Sequence, residues 1–68
     1  MNINISVNGS AKEIDKGTTL DVLIKSLVEK DQGIIVELNE KIITRNDWKE
    51  QPLNQGDVIQ LISFVGGG

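Results

Sequence analysis

Only one stretch of this chain carries a helical apolar period. Leu20, Leu23, Ile24, Leu27 and Val28 fall at i, i+3, i+4, i+7 and i+8, whereas apolar residues elsewhere alternate with polar ones or sit in short runs. A single amphipathic helix covers one face of one sheet, so the remaining segments must pair as strands against it. Thr18-Thr19-Leu20-Asp21 offers a hydroxyl N-cap with an acid in the first turn, and Asp31-Gln32-Gly33 is expected to close the helix.

Ile3, Ile5 and Val7 alternate with Asn2, Asn4 and Ser6, the period of a strand with one buried face, and Asn8-Gly9 follows as a hairpin turn. Ser10 to Ile14 forms the return strand, broken by Asp15-Lys16-Gly17. After the helix, Ile34 to Leu38 reads as a β-branched strand with Ile34, Val36 and Leu38 on its buried face. Asn39-Glu40 turns the chain into a short strand, Lys41-Ile42-Ile43. Arg45-Asn46-Asp47-Trp48 reads as a single helical turn, and Pro52 and Asn54-Gln55-Gly56-Asp57 punctuate a link before the last strand, Val58 to Val65. This order predicts an α+β roll of β-grasp type, a mixed sheet of four to five strands with one main helix. The first and last strands are expected to lie parallel at its centre. The expected core joins Ile3, Ile5, Val7, Val36, Leu38, Ile59 and Leu61 to the helix stripe. Residues 1–65 form the domain and 66–68 a flexible glycine tail.

Sixty-eight residues with no cysteine and no histidine leave neither a disulfide framework nor a zinc site to stabilise so small a domain. No apolar run approaches the length of a membrane span, and no basic-then-apolar leader opens the chain, so a soluble, unprocessed, cytoplasmic protein is expected. The net charge is −3 and the seven Lys/Arg are scattered, which argues against nucleic acid and for a partner with a basic docking surface. With no Cys, His or Tyr, the chain lacks the usual nucleophile-base pairs. Asp47, Glu50 and Asp57 read as turn-forming acids, and Gly17 stands alone rather than in a phosphate loop. The sequons Asn4-Ile5-Ser6 and Asn8-Gly9-Ser10 read as chance matches. Trp48 reads as a plug at the end of the core, and Arg45 as a tether to an acid in its own link.

The remaining feature is the ending Phe64-Val65-Gly66-Gly67-Gly68. Glycines without Cβ atoms pass through a channel too narrow for other residues, and the four residues from Val65 extend about 13 Å. Such a tail brings the α-carboxylate of Gly68 into a partner's active site. With Ile59 and Leu61 inward, Val58, Gln60, Ile62 and Phe64 turn outward, so Ile62, Phe64 and Val65 form an expected partner-binding face beside the tail glycines Gly66 and Gly67.

Leu38-Asn39, Ile42-Ile43, Arg45, Trp48, Leu53, Gly56-Asp57 and the terminal Phe64 to Gly68 together resemble the ThiS family, sulfur carrier proteins of thiamine biosynthesis. The resemblance spans the chain; Thr44 departs from it, standing where many members carry proline. It implies that Gly68 is the modified residue. An E1-like adenylating enzyme would use ATP to form an acyl-adenylate there, and a persulfide donor such as a cysteine desulfurase would supply sulfur for a thiocarboxylate. Thiazole synthase would then take that sulfur. The carrier would bind no cofactor and be no enzyme itself. The small subunit of molybdopterin synthase, with the same fold and tail, is the nearest alternative, followed by a ubiquitin-like modifier.

Overall fold

The computed structural model describes residues 1–63; residues 64–68 lie outside the described residues. The chain runs β1 (Asn2–Val7), β2 (Ser10–Asp15), α1 (Leu20–Leu27), β3 (Ile34–Leu38), β4 (Lys41–Ile43), a 3-10 helix (Arg45–Glu50) and β5 (Val58–Ser63). The strands make one five-stranded sheet in the order β2-β1-β5-β3-β4. β1 and β5 are parallel, and every other neighbouring pair is antiparallel. The expected mixed sheet, central parallel pair and single covering helix are all present. No helix among the described residues is long and apolar enough to cross a membrane.

The core holds Ile3, Ile5, Leu20, Leu23, Ile24, Val36, Leu38, Trp48, Leu53 and Ile59, with Val7, Ile14, Val28, Ile34, Ile43 and Leu61 packed at its margin. Trp48 is buried, as its reading as a core plug requires, and its indole N–H donates to the carbonyl of Ile43 at 2.9 Å. Leu53 joins this core too, a placement that periodicity does not reveal because the residue stands alone in a loop.

Both hairpin turns place two successive residues in the left-handed region, Asn8 and Gly9 (φ 49° and 86°) and Asn39 and Glu40 (φ 52° and 73°). This twist matches that of the paired strands, and asparagine tolerates it better than most side chains. Glu40 has no such tolerance. Glu40→Gly is therefore expected to raise stability by about 1 kcal/mol, read from the urea midpoint, since the left-handed penalty for an L-residue is of that order.

The helix is shorter than its apolar stripe suggests. It ends at Leu27, not at Asp31-Gln32-Gly33, and Val28 is already extended while its N–H still donates to the carbonyl of Ile24 at 3.0 Å. The Ser26 hydroxyl donates to the Leu23 carbonyl at 2.6 Å, satisfying an acceptor of the last turn. Val28 reaches the core margin from its extended position, and Leu27 is left exposed.

At the other end Thr19 occupies the N-cap position, but its side chain does not bond the helix backbone as the expected hydroxyl cap would. It donates instead to the carboxylate of Asp21. That bond is the largest influence on the Asp21 carboxyl; desolvation, the next, opposes it, and the Val22 backbone N–H, the Lys25 charge and the Asp21 backbone N–H add to it, so the carboxyl is held below the usual carboxylate range. A depressed folded value means that the associated stability is present above the unfolded value and is lost as pH falls through the folded one. An NMR titration should find the Asp21 midpoint below that of an ordinary aspartate and raised in Thr19→Ala; equal midpoints would contradict the assignment.

Candidate functional site

β5 leads directly to the C-terminal residues, so what fixes β5 fixes the base of the tail. On one side it pairs with β3 from Leu38↔Ile59 to Ile34↔Ser63. On the other it pairs with β1 only at Ser6↔Val58 and Val7↔Ile59. Asn8 extends that hold beyond the end of β1. Its backbone N–H donates to the Ile59 carbonyl at 2.9 Å, and its side-chain Oδ1 accepts the Leu61 N–H at 2.8 Å.

The start of β5 is held as firmly. The Ser6 N–H donates to the Asp57 carbonyl at 2.9 Å, the Gly56 N–H to the Asn4 carbonyl at 2.8 Å, and the Asn4 N–H to Gln55 Oε1 at 2.9 Å. Asp57 is 9% exposed and its carboxylate accepts from Asn39 Nδ2 at 3.0 Å and the Asn54 N–H at 2.8 Å. Asn39 Oδ1 in turn accepts the Val58 N–H at 2.9 Å. Asp57 and Asn39 thus clamp the β3–β4 turn to the start of β5.

The inward and outward alternation of β5 matches expectation. Ile59 is fully buried and Leu61 half-buried, while Val58 and Gln60 are exposed and Ile62 is 38% exposed on the outer face, opposite Ile35 of β3. Of the sequence-predicted partner face only Ile62 can be placed; Phe64 and Val65, and the proposed tail Gly66, Gly67 and Gly68, lie outside the described residues. Ile35, which alternates with Ile34, Val36 and Leu38, lies on the outer face opposite Ile62, and the register also turns Ile42 outward opposite Glu37, a placement that the run Ile42-Ile43 does not reveal.

Beside the end of the short helix lies a largely apolar groove of about 320 Å³ lined by Val7, Asn8, Leu27, Val28, Ile34, Leu61, Ile62 and Ser63. The segment between α1 and β3 that borders it is pinned by Arg45, whose Nη2 lies 2.7 Å from Asp31 Oδ1 and whose guanidinium lies over the Trp48 ring at 5.9 Å. Arg45 is a tether, as expected, but to an acid of the α1–β3 link rather than of its own link. The helical turn is also longer than one turn, a six-residue 3-10 helix, with Asp47 accepting from the Thr44 hydroxyl at 3.0 Å. Glu50 is exposed at its end. Among the described residues no cluster of acids, histidines or cysteines could hold a metal ion, and no buried side-chain polar atom lacks a partner.

Comparison with known proteins adds a second line. The model of the ThiS family matches residues 5–68. The sulfur carrier protein ThiS of Bacillus subtilis is 41% identical over 54 residues, covering 79% of this chain and 80% of that protein. A thiazole synthase of Magnetococcus marinus is 30% identical over 66 residues, covering 97% of this chain but 20% of that protein. The chain therefore spans about a fifth of the length of the thiazole synthase relatives it matches. In three dimensions the fold is similar to the crystal structure of the thiamine biosynthesis protein ThiS from Geobacter metallireducens. The TM-score is 0.82 at 28% identity, covering 97% of this chain and all of that one.

Proposed function

The chain belongs to the ThiS family, and from that premise we propose that it is a sulfur carrier of thiamine biosynthesis whose working group is the α-carboxylate of Gly68. The observation that carries the reading is the family match running from residue 5 through the last glycine. A carboxylate is inert to sulfur nucleophiles until it bears a good leaving group. An E1-like enzyme supplies one: a Gly68 carboxylate oxygen attacks the α-phosphorus of ATP, pyrophosphate leaves, and an acyl-adenylate forms. The terminal sulfur of a protein persulfide, such as one borne by a cysteine desulfurase, then attacks the acyl carbon and AMP leaves. Cleavage of the S–S bond by a thiol frees the thiocarboxylate, which thiazole synthase consumes.

The chain's own contribution is presentation. It needs no catalytic side chain, binds no cofactor and acts as a co-substrate of its partners, which is consistent with a sequence lacking Cys, His and Tyr. The cytoplasm supplies the ATP, and a chain without cysteine is unaffected by that reducing compartment. Expression in a bacterium lacking its own thiamine sulfur carrier should restore growth without thiamine. Restoration of molybdenum-cofactor synthesis instead would assign the chain to the molybdopterin branch and overturn the reading.

A further inference from the structure

The described strands stop holding β5 at Ser63. Its ladder with β3 ends at Ile34↔Ser63, where the preceding Gly33 takes the β3 backbone into the left-handed region at φ 75°. On the other side β1 pairs no further than Ile59, and the Asn8 side chain reaches no further than the Leu61 N–H. Directly paired residues of antiparallel strands share a side, so Ser63 turns to the side of Ile34, which packs at the margin of the core. There lies a second cavity, of about 380 Å³, walled by Val28 and Ile34 and bordered by Lys30, Gln32, Gly33 and Ser63. Val28, Ile34 and Ser63 also line the groove described above, but Leu61 lines only that groove and residues 30, 32 and 33 only this cavity. The cavity therefore lies past Ser63, in the direction in which β5 runs.

We propose that the occupant of this cavity is the side chain of Val65, supplied by the chain itself. Five residues follow Ser63 in the sequence, and three of them are glycines with nothing to bury. Of the other two, Phe64 takes the side opposite to Ser63 by strand alternation, whereas Val65 takes the same side about 7 Å further on. Val28 and Ile34 offer apolar contact to its methyl groups, and the Lys30 stem is long enough to cover them with its ammonium still in water. A residue tethered two positions from the cavity wall fills it at high effective concentration, whereas a second copy or a partner must first give up its freedom of motion. Val65 thereby leaves the partner face expected from the sequence, on which Ile62 and Phe64 remain. The consequence for presentation rests on the sulfur-carrier reading: Val65 is a positioning residue that fixes the base of the tail. Only Gly66, Gly67 and Gly68 then extend freely, over about 10 Å rather than the roughly 17 Å of five residues. A shorter free segment loses less conformational entropy on entering a partner's channel.

The test is NMR of the full-length free chain with labelled methyl groups, which needs neither a partner nor sulfur. Cross-peaks are expected from the Val65 methyls to those of Val28 and Ile34, with backbone order parameters of about 0.85 through Val65 and below about 0.6 from Gly67. Val65→Asp should move that fall back to Ser63 and lower the urea midpoint, whereas Phe64→Asp should leave the midpoint unchanged. Equal midpoints for the two variants, or a fall in order directly after Ser63 in the wild-type chain, would overturn the proposal. So would contacts to Val28 from Phe64 in place of Val65. Contacts that grow with chain concentration would assign the cavity to a second copy, and contacts seen only after an adenylating enzyme is added would assign it to a partner; either result overturns the proposal too. Intact contacts in a chain that takes up no sulfur would count against the sulfur-carrier reading alone.

Discussion

Leu23→Ala is expected to lower stability by about 2 to 5 kcal/mol, the range for truncating a buried leucine whose cavity cannot collapse. Leu23 is 2% exposed and lies in the core with the fully buried Leu20, Ile24 and Ile59, so its neighbours have little freedom to close the gap. A domain of this size is worth roughly 3 to 10 kcal/mol in all, which makes the loss a large share of the total. Leu61→Ala, which alternation along β5 makes look equivalent, should cost less. Leu61 is only half-buried and borders the groove beside Leu27 and Val28, where solvent already reaches. Urea denaturation of both variants checks the ordering, and a larger loss for Leu61→Ala would mean that the groove is closed in solution.

The second large effect is functional. Deleting Gly68, or adding one alanine after it, should leave the unfolding midpoint unchanged and abolish thiocarboxylation. Either change moves the terminal carboxyl by about 3.5 Å along an extended chain. Near-attack geometry tolerates far less, because reacting atoms must stand within about 3 to 3.5 Å and aligned. Full sulfur loading of either variant would remove Gly68 from the mechanism.

The parts of the fold that could be read from the residues are those in which burial and periodicity agree. In β1 the buried Ile3 and Ile5 alternate with exposed Asn2 and Asn4, and in β5 Ile59 and Ile62 fall on opposite faces as their spacing requires. What escaped was decided either by local side-chain bonds or by partners distant in sequence. The helix stops at Leu27 because the Ser26 hydroxyl and the extended Val28 supply a local alternative to another turn, which an apolar stripe does not encode. Arg45 finds Asp31, 14 residues earlier, a choice set by how the two links are brought together. Asp57 reads as an ordinary loop acid until Asn39, 18 residues away, is placed against it. For the site, the outward positions of Ile62 and of Ile35, which alternates with Ile34, Val36 and Leu38, were legible, but Ile42 was hidden in the run Ile42-Ile43, where alternation gives no contrast.

The central claim, that this chain carries sulfur on Gly68, is tested most directly by intact-mass measurement after incubation with an E1-like adenylating enzyme, ATP and a persulfide donor, followed by fragmentation to locate the change. The account predicts a gain equal to the replacement of one oxygen by one sulfur, confined to Gly68 and dependent on ATP. An unchanged mass with an enzyme that loads another sulfur carrier in parallel, or a sulfur added anywhere else in the chain, would contradict it.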